Sequence, residues 1–154
     1  MNDPIWKSVR VPLTPTEAFA LFTRDIDTWW PKEKHTVTGK DGTPPNLRFP
    51  KEKGAPIIEE GDDGTIHVWG RLIAYDPGRY LAFSWFPGGA EADATIVQVS
   101  FNADGDGTQV DLTHGDLDSL GPLADAVSTS YLRDWGLILG CYCKAAGHLT
   151  PVSA

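Results

Sequence analysis

Apolar and polar residues alternate along the first part of the chain, Ile5–Val11. A period of two residues is typical of a β-strand, so this segment is predicted to be the first strand. Thr14 follows, with Pro15 at the first helical position and Glu17 three residues after the cap. This spacing is typical of a capping box, and it predicts that a helix begins at Pro15.

The middle of the chain has turn residues at close spacing between short runs of strand-forming residues. Gly61–Gly64 and Asp104–Gly107 each separate two such runs and indicate hairpins. Leu81, Phe83 and Trp85 share one face of their strand, which we expect to point inward. The predicted elements are strand Ile5–Val11, helices Pro15–Phe22 and Asp25–Trp30, strands Leu47–Lys51, Ala55–Glu60, Thr65–Tyr75, Arg79–Phe86, Thr95–Phe101 and Thr108–His114, and a last helix from Pro122 to about His148.

The last helix has apolar residues at every third or fourth position, which form one stripe. The stripe consists of Val127, Tyr131, Trp135, Ile138, Tyr142 and Ala146. An order of strand, short helices, strand meander and long helix predicts an α+β helix-grip fold. In this fold a curved antiparallel sheet of about six or seven strands wraps around the long C-terminal helix. We expect one domain over residues 1–154, with its core at about 5–147.

The tryptophans are spread over several predicted elements, and large rings from both the sheet and the helix favour an aromatic-lined cavity between them. Trp29 and Trp30 are neighbours about 100° apart on a helix, so one ring can face inward while the other covers the surface near an opening. The alternative, more common for large aromatic residues, is that both form a hydrophobic plug. Trp69, facing outward, or a sheet edge at Leu47–Lys51 would serve a homodimer. The predicted cavity residues are Trp29, Trp30, Phe49, Phe83, Trp85, Leu112, His114, Tyr131, Trp135, Ile138 and Leu139.

The sequence leaves alternative roles open for His114, for the pair Glu59 and Glu60, and for two glycines of the last helix. His114 lies on the apolar face of its strand, where a histidine either contacts a ligand or, more commonly, is satisfied by a neighbouring group. Alternation places one of Glu59 and Glu60 inward, although carboxylates at such positions are usually solvated. Gly136 and Gly140 indicate close approach of the helix to another element, room for a ligand, or simple tolerance.

Composition excludes several classes of function. The net charge is −8, with 21 acidic and 13 basic residues, so a nucleic-acid partner is not expected. No apolar run approaches the roughly 20 residues of a membrane span, and the N-terminal segment predicts a cytoplasmic location. Histidines and the two cysteines, Cys141 and Cys143, show no metal-binding spacing. We expect no metal, no cofactor and no catalytic residue.

Five segments carry a resemblance to a known family: TPTEAFALFT, DIDTWWP, GRLIAYDPGRYLAFSW, DGTQVDLTHGDL and RDWGLILGCYC. Together they resemble bacterial proteins related to the C-terminal domain of the activator of the heat-shock-protein-ninety ATPase. These proteins belong to the START and pollen-allergen superfamily, known as SRPBCC. The resemblance covers about residues 5 to 147. It implies a helix-grip fold with an internal cavity, in a superfamily that binds lipids, sterols and polyketides and includes cyclases and aromatases.

Sequence and resemblance together favour a binding domain for an apolar or aromatic small molecule, held between the sheet and the last helix. We expect no enzymatic activity, but a cyclase or aromatase-type enzyme is the first alternative. Its polar groups would be His114, one of the two glutamates, and Tyr131 or Tyr142. The second alternative is a chaperone-binding or regulatory module, which an ATPase assay with the bacterial chaperone would test.

Overall fold

The computed structural model describes residues 4–38, 43–87 and 91–149. Seven strands and three α-helices account for most of these residues. In chain order they are β1 (Ile5–Val11), α1 (Pro15–Phe22), α2 (Ile26–Trp29), β2 (Asn46–Arg48), β3 (Pro56–Glu60), β4 (Ile66–Asp76), β5 (Tyr80–Trp85), β6 (Thr95–Asp104), β7 (Gly107–Gly115) and α3 (Ala124–Leu149). Short 3-10 helices at Glu91–Asp93 and Leu117–Leu123 precede β6 and α3.

The strands form one antiparallel sheet in the order β1-β7-β6-β5-β4-β3-β2. Strands β1 and β2 are its edges, so the predicted edge at Leu47–Lys51 is present, as the shorter β2. The sheet curls around α3, and the predicted helix-grip fold is confirmed. The Tyr142 hydroxyl of α3 donates a 2.7 Å hydrogen bond to the Ala18 carbonyl, which ties the long helix to α1.

The start of α1 is determined locally by its cap. The Thr14 hydroxyl accepts a hydrogen bond from the Glu17 amide at 3.2 Å, and the Glu17 carboxylate accepts one from the Thr14 amide at 3.1 Å. Each partner thus satisfies a backbone N–H that the helix itself leaves unpaired. The predicted capping box is confirmed.

The last helix begins later than predicted. Gly121 has a φ of 65°, in the left-handed region, so α3 cannot run through it and begins at Ala124. Pro122 therefore belongs to the preceding 3-10 helix and not to the α-helix. At the other end α3 runs to Leu149, in agreement with the predicted end at about His148.

Gly70 allows β4 to approach β5 unusually closely. A Cβ atom at this position would lie 1.8 Å from the Ser84 carbonyl oxygen, so no larger residue fits without movement of the backbone. Next to it, the Phe86 amide donates a 2.6 Å hydrogen bond to the Trp69 carbonyl. This close approach brings Trp69 and Trp85 to the same part of the interior, with their ring centroids 5.6 Å apart.

Two predicted tryptophan positions are wrong. Trp69 is only 1% exposed and faces inward, because its indole N–H is paired with the buried Glu59 carboxylate. It therefore cannot contribute to an outer dimer surface. Trp29 and Trp30 are both 6% exposed, so neither ring covers the surface. Each indole N–H instead finds a backbone carbonyl, that of Leu21 or of His35.

Candidate ligand-binding site

Four tryptophan rings meet between the sheet and α3, and we call them the tryptophan cluster. Trp30 lies 5.0 Å from Trp69, 6.0 Å from Trp85 and 6.2 Å from Trp135, measured between ring centroids. Trp85 and Trp135 are 5.4 Å apart. Tilted and edge-to-face contacts at these distances are favourable beyond the burial of apolar area. The cluster is thus a rigid aromatic wall built from α2, two strands and α3.

A partly enclosed cavity of about 180 Å³, which we call the aromatic pocket, adjoins this cluster. Five residues predicted for the cavity line it. The complete lining is Trp30, His35, Thr36, Val37, Trp85, Pro87, Tyr131, Asp134, Trp135 and Ile138. Four of these ten lining residues are tryptophan or tyrosine, and they come from both the sheet side and α3.

The other predicted cavity residues pack in or against the core. Trp29 contacts Tyr142, with the ring centroids 5.1 Å apart, and Phe49 contacts Phe83 at 5.6 Å. Leu112 and Leu139 are fully buried core residues. His114 lies behind Trp135. None of them is part of the lining of the aromatic pocket.

Several lining residues escaped the sequence analysis. The inward position of Asp134 was predictable, because it lies three residues after Tyr131 and four before Ile138, on the stripe of α3. No sequence pattern indicates that the segment from His35 to Val37 lines a pocket, since it belongs to no helix or strand. Pro87 follows the end of β5 and was read as part of a loop. These positions become neighbours only through the tertiary fold.

The buried Glu59 carboxylate holds the segment that forms one wall of the pocket. It is 0% exposed and accepts hydrogen bonds from the Val37 amide at 2.8 Å and from the Thr38 amide and hydroxyl, both at 2.7 Å. A fourth bond comes from the Trp69 indole at 2.8 Å. Burial alone would raise the pKa of Glu59, but these four donors outweigh burial and hold the pKa below its ordinary value. Of the two glutamates, Glu59 is therefore the inward one, and it is not solvated.

His114 is fully buried and satisfied by its neighbours. Nδ1 accepts the indole N–H of Trp135 at 2.8 Å, and Nε2 is hydrogen-bonded to the Thr95 hydroxyl. Burial lowers the pKa of His114 to about 4, so the ring is neutral at physiological pH. Both ring nitrogens are therefore satisfied by neighbouring groups, as is most common for a buried histidine, and neither is left to contact a ligand. Its ring does face Tyr131, with the centroids 4.6 Å apart.

Tyr131 and Asp134 are the titratable side chains that α3 contributes to the pocket lining. Burial, and secondarily the negative charge of Asp134, raises the pKa of Tyr131, so its phenol stays protonated and can donate or accept a hydrogen bond. The Asp134 side chain is 26% exposed and lies 3.5 Å from Arg133. The pocket therefore combines aromatic walls with a small number of polar groups, which is typical of small-molecule sites.

The remaining sequence features contribute little chemistry. A Cβ atom on Gly136 would come no nearer than 3.7 Å to Lys7, and one on Gly140 would meet nothing within 4 Å. Close approach thus explains neither glycine. Among residues 4–38, 43–87 and 91–149, no cluster of three metal-ligating side chains occurs. In the same residues, no helix combines the length and apolar character that crossing a bilayer requires.

Comparison with known families agrees with this architecture. Residues 12–130 match the family described as activator of Hsp90 ATPase homolog 1-like protein. The chain belongs to this family. The activator-homologue family is part of the START-like SRPBCC group, as the resemblance implied. No curated protein matches the chain.

Solved structures with the same fold cover nearly the whole activator-homologue chain. Protein MLL2253 from Mesorhizobium loti is 11% identical, with a TM-score of 0.70 over 96% of this chain and 98% of that one. The Aha1 dimer from Colwellia psychrerythraea is 12% identical, with a TM-score of 0.68 over 94% and 96%. Txn09, an anthrahydroquino-γ-pyrone synthase solved in complex with a ligand designated SUM, is 29% identical, with a TM-score of 0.58 over 82% and 85%.

Proposed function

We propose that this protein binds a small molecule that contains an aromatic ring in the aromatic pocket. The observation that carries this proposal is the pocket wall, in which Trp30, Trp85, Trp135 and Tyr131 surround one partly enclosed space. Rigid aromatic side chains favour flat aromatic ligands through stacked and edge-to-face contacts. The Txn09 complex supports the proposal, because a synthase with the same fold and 29% identity holds a small molecule.

The size of the cavity limits the ligand. An apolar protein cavity of about 150 Å³ is large enough to bind benzene. A cavity of about 180 Å³ therefore suits one or two rings, with further substituents directed toward the opening. This volume is below the roughly 300 Å³ at which sites for drug-sized ligands begin. A larger ligand would require movement of the pocket walls.

A titration with tetralin, a neutral two-ring hydrocarbon, tests the site directly. We expect calorimetry to show saturable binding to the wild-type protein. Val37 lines the pocket and is 36% exposed, so Val37→Phe would obstruct the pocket at little cost to the fold. We expect this variant to bind tetralin at least about tenfold more weakly. The control is Ile73→Phe, a similar enlargement at a residue that is 39% exposed and does not line the pocket.

The outcomes separate clearly. Equal binding by Val37→Phe and wild type would place the ligand elsewhere and overturn the assignment of the site. Absence of binding to tetralin, naphthalene and 1-tetralone alike would overturn the proposed function. Weakened binding in both Val37→Phe and Ile73→Phe would indicate a general effect on the fold, and would count against a local site.

A cyclase-type enzyme is the second candidate, and the synthase activity of Txn09 is the observation that favours it. Tyr131 and Asp134 are then the candidates for proton transfer that α3 contributes to the lining, since both nitrogens of His114 are engaged. Incubation with aromatic polyketide precursors and analysis of the products by mass spectrometry tests this function. Turnover that survives in both Tyr131→Phe and Asp134→Asn would contradict the assignment of these groups.

A further inference from the structure

Among the residues that the structure describes, one buried indole has no hydrogen-bond acceptor. Five tryptophans are buried, and four of them donate the indole N–H to an acceptor 2.7 or 2.8 Å away. The four pairs are Trp29 with Leu21, Trp30 with His35, Trp69 with Glu59, and Trp135 with His114. For Trp85, which is 5% exposed and lines the aromatic pocket, no acceptor is found within residues 4–38, 43–87 and 91–149.

The Trp85 nitrogen is accessible and not sealed in the core. In the described part of the chain, the one buried side-chain polar atom that is both sealed from solvent and unpartnered is the hydroxyl oxygen of Ser128. The Trp85 N–H therefore remains reachable, and the pocket is the open space that its ring lines. Buried polar groups are strongly favoured to be paired. A ligand that brings a hydrogen-bond acceptor into the pocket would therefore give the Trp85 N–H a partner.

Asp134 supplies a hydrogen-bond acceptor to the pocket, whereas Trp85 supplies a donor. An ionised carboxylate accepts hydrogen bonds only, and bonds that involve a charged group are stronger than neutral ones. Asp134 lines the pocket, where its charge contributes to the raised pKa of Tyr131, and its ion pair with the exposed Arg133, at 3.5 Å, engages one carboxylate oxygen. The protein as a whole carries a net charge of −8, which adds to the repulsion of anionic ligands.

From these two groups we infer that the ligand is an aromatic ketone that carries a hydroxyl or amino substituent. Its carbonyl oxygen accepts the Trp85 N–H, and its hydroxyl or amino hydrogen is donated to Asp134. The pocket rejects aromatic carboxylates. This inference rests on the proposed function, and it adds the polar groups by which the aromatic ligand is selected.

A matched series of two-ring probes tests the inference by calorimetry at pH 8, where histidine side chains with ordinary pKa values are neutral. Tetralin has neither polar group, 1-tetralone has the acceptor, 5,6,7,8-tetrahydro-2-naphthol has the donor, and 6-hydroxy-1-tetralone has both. We expect 1-tetralone to bind about three- to tenfold more tightly than tetralin, and 6-hydroxy-1-tetralone to bind most tightly. The carboxylate 5,6,7,8-tetrahydro-2-naphthoate should bind more weakly than tetralin.

Two substitutions test whether Trp85 and Asp134 cause these differences in affinity. Trp85→Phe keeps an aromatic ring without the N–H, so the advantage of 1-tetralone over tetralin should disappear. The control Trp6→Phe changes a tryptophan that is 63% exposed and should preserve this advantage. Asp134→Asn should reduce the discrimination against the carboxylate by about tenfold or more. Asp125→Asn makes the same change of charge in the first turn of α3, at an exposed residue outside the pocket, and should leave the discrimination unchanged.

The inference fails if tetralin binds in the pocket but the carbonyl and hydroxyl groups change its affinity by less than about twofold. In that case the proposed function stands and the polar selection is wrong. It also fails if Trp85→Phe retains the full preference for 1-tetralone, or if Asp125→Asn relaxes the rejection of carboxylate as much as Asp134→Asn does. Failure of every probe to bind would instead overturn the proposed function itself.

Discussion

The indole N–H of Trp135 donates a hydrogen bond to Nδ1 of His114, 2.8 Å away. An indole nitrogen can only donate, so Nδ1 carries no hydrogen and the neutral ring is protonated at Nε2. Nε2 in turn lies against the Thr95 hydroxyl, which donates to the Trp85 carbonyl at 3.2 Å. One series of hydrogen bonds therefore connects α3 with β7, β6 and β5 immediately behind the aromatic pocket.

This arrangement predicts that acid destabilises the protein through His114. The pKa of His114 is lowered from 6.5 to about 4 by burial, so the unfolded chain takes up the proton first. The contribution of the neutral ring to stability is complete above about pH 6.5 and is lost as the pH falls toward 4. We expect urea unfolding to show a decrease of about 3 kcal/mol over this window.

A substitution separates His114 from the carboxylates. In His114→Gln the dependence on pH between 6.5 and 4.5 should be nearly flat. Nuclear magnetic resonance should follow the His114 ring to a midpoint near 4. A midpoint at or above 6.5 would show that the ring is not sealed in the core.

Trp135 is predicted to be essential for the closure of the helix on the sheet. It is 1% exposed, contacts Trp30 and Trp85, and lines the pocket. Trp135→Ala should reduce the free energy of unfolding by about 3–5 kcal/mol and abolish the response to tetralin. The matched Trp6→Ala removes a ring that is 63% exposed and should cost far less. Similar melting temperatures for the two variants would mean that α3 is rotated from the position described.

Much of the fold follows from patterns of short range. Alternation correctly places Leu81, Phe83 and Trp85 inside, because the pleat of a strand assigns successive side chains to opposite faces. The stripe of α3 likewise puts Trp135 and Ile138 in the interior. These features need only the local period of the element, which the sequence contains.

The pocket wall that contains Val37 does not follow from the period of any helix or strand. Val37 joins it because Glu59, which is 22 residues later, accepts its amide hydrogen. No period connects a loop residue with a strand residue at that separation. The inward position of Trp69 depends on the same carboxylate. Alternation places one of Glu59 and Glu60 inward, but it does not show which of them is buried or that Trp69 is its donor.

Glu59 is predicted to hold the pocket wall in place. All four of its partners are donors, so the NH₂ group of Glu59→Gln would oppose at least one N–H or O–H. We expect a loss of about 1–3 kcal/mol, measured by urea unfolding at pH 7. Hydrogen exchange at the Val37 and Thr38 amides should also become faster. Because the folded pKa of Glu59 is lowered, its contribution is present above about pH 4.5 and is lost as the pH falls below that value.

The neighbouring Glu60 provides the control for this prediction. It pairs with Arg48 at the surface, where ion pairs contribute little. Glu60→Gln should therefore change stability by at most about 0.5 kcal/mol and leave both amides protected. If Glu59→Gln behaves like Glu60→Gln, the segment from His35 to Thr38 is held by other contacts and the carboxylate is not its anchor.

Two glycines are predicted to respond to alanine in opposite directions. The Cβ atom of Gly70→Ala would lie 1.8 Å from the Ser84 carbonyl oxygen, so β4 and β5 would have to separate beside Trp85. At Gly140, on α3, an added Cβ meets nothing within 4 Å, and alanine favours the helix by about 0.5–1 kcal/mol. Because about 1 kcal/mol shifts the melting temperature of a domain of this size by roughly 2–4 °C, Gly140→Ala should raise it by up to that amount. Gly70→Ala should lower it by at least as much and weaken tetralin binding, and a stable, ligand-responsive Gly70→Ala would show that the strands need no such close approach.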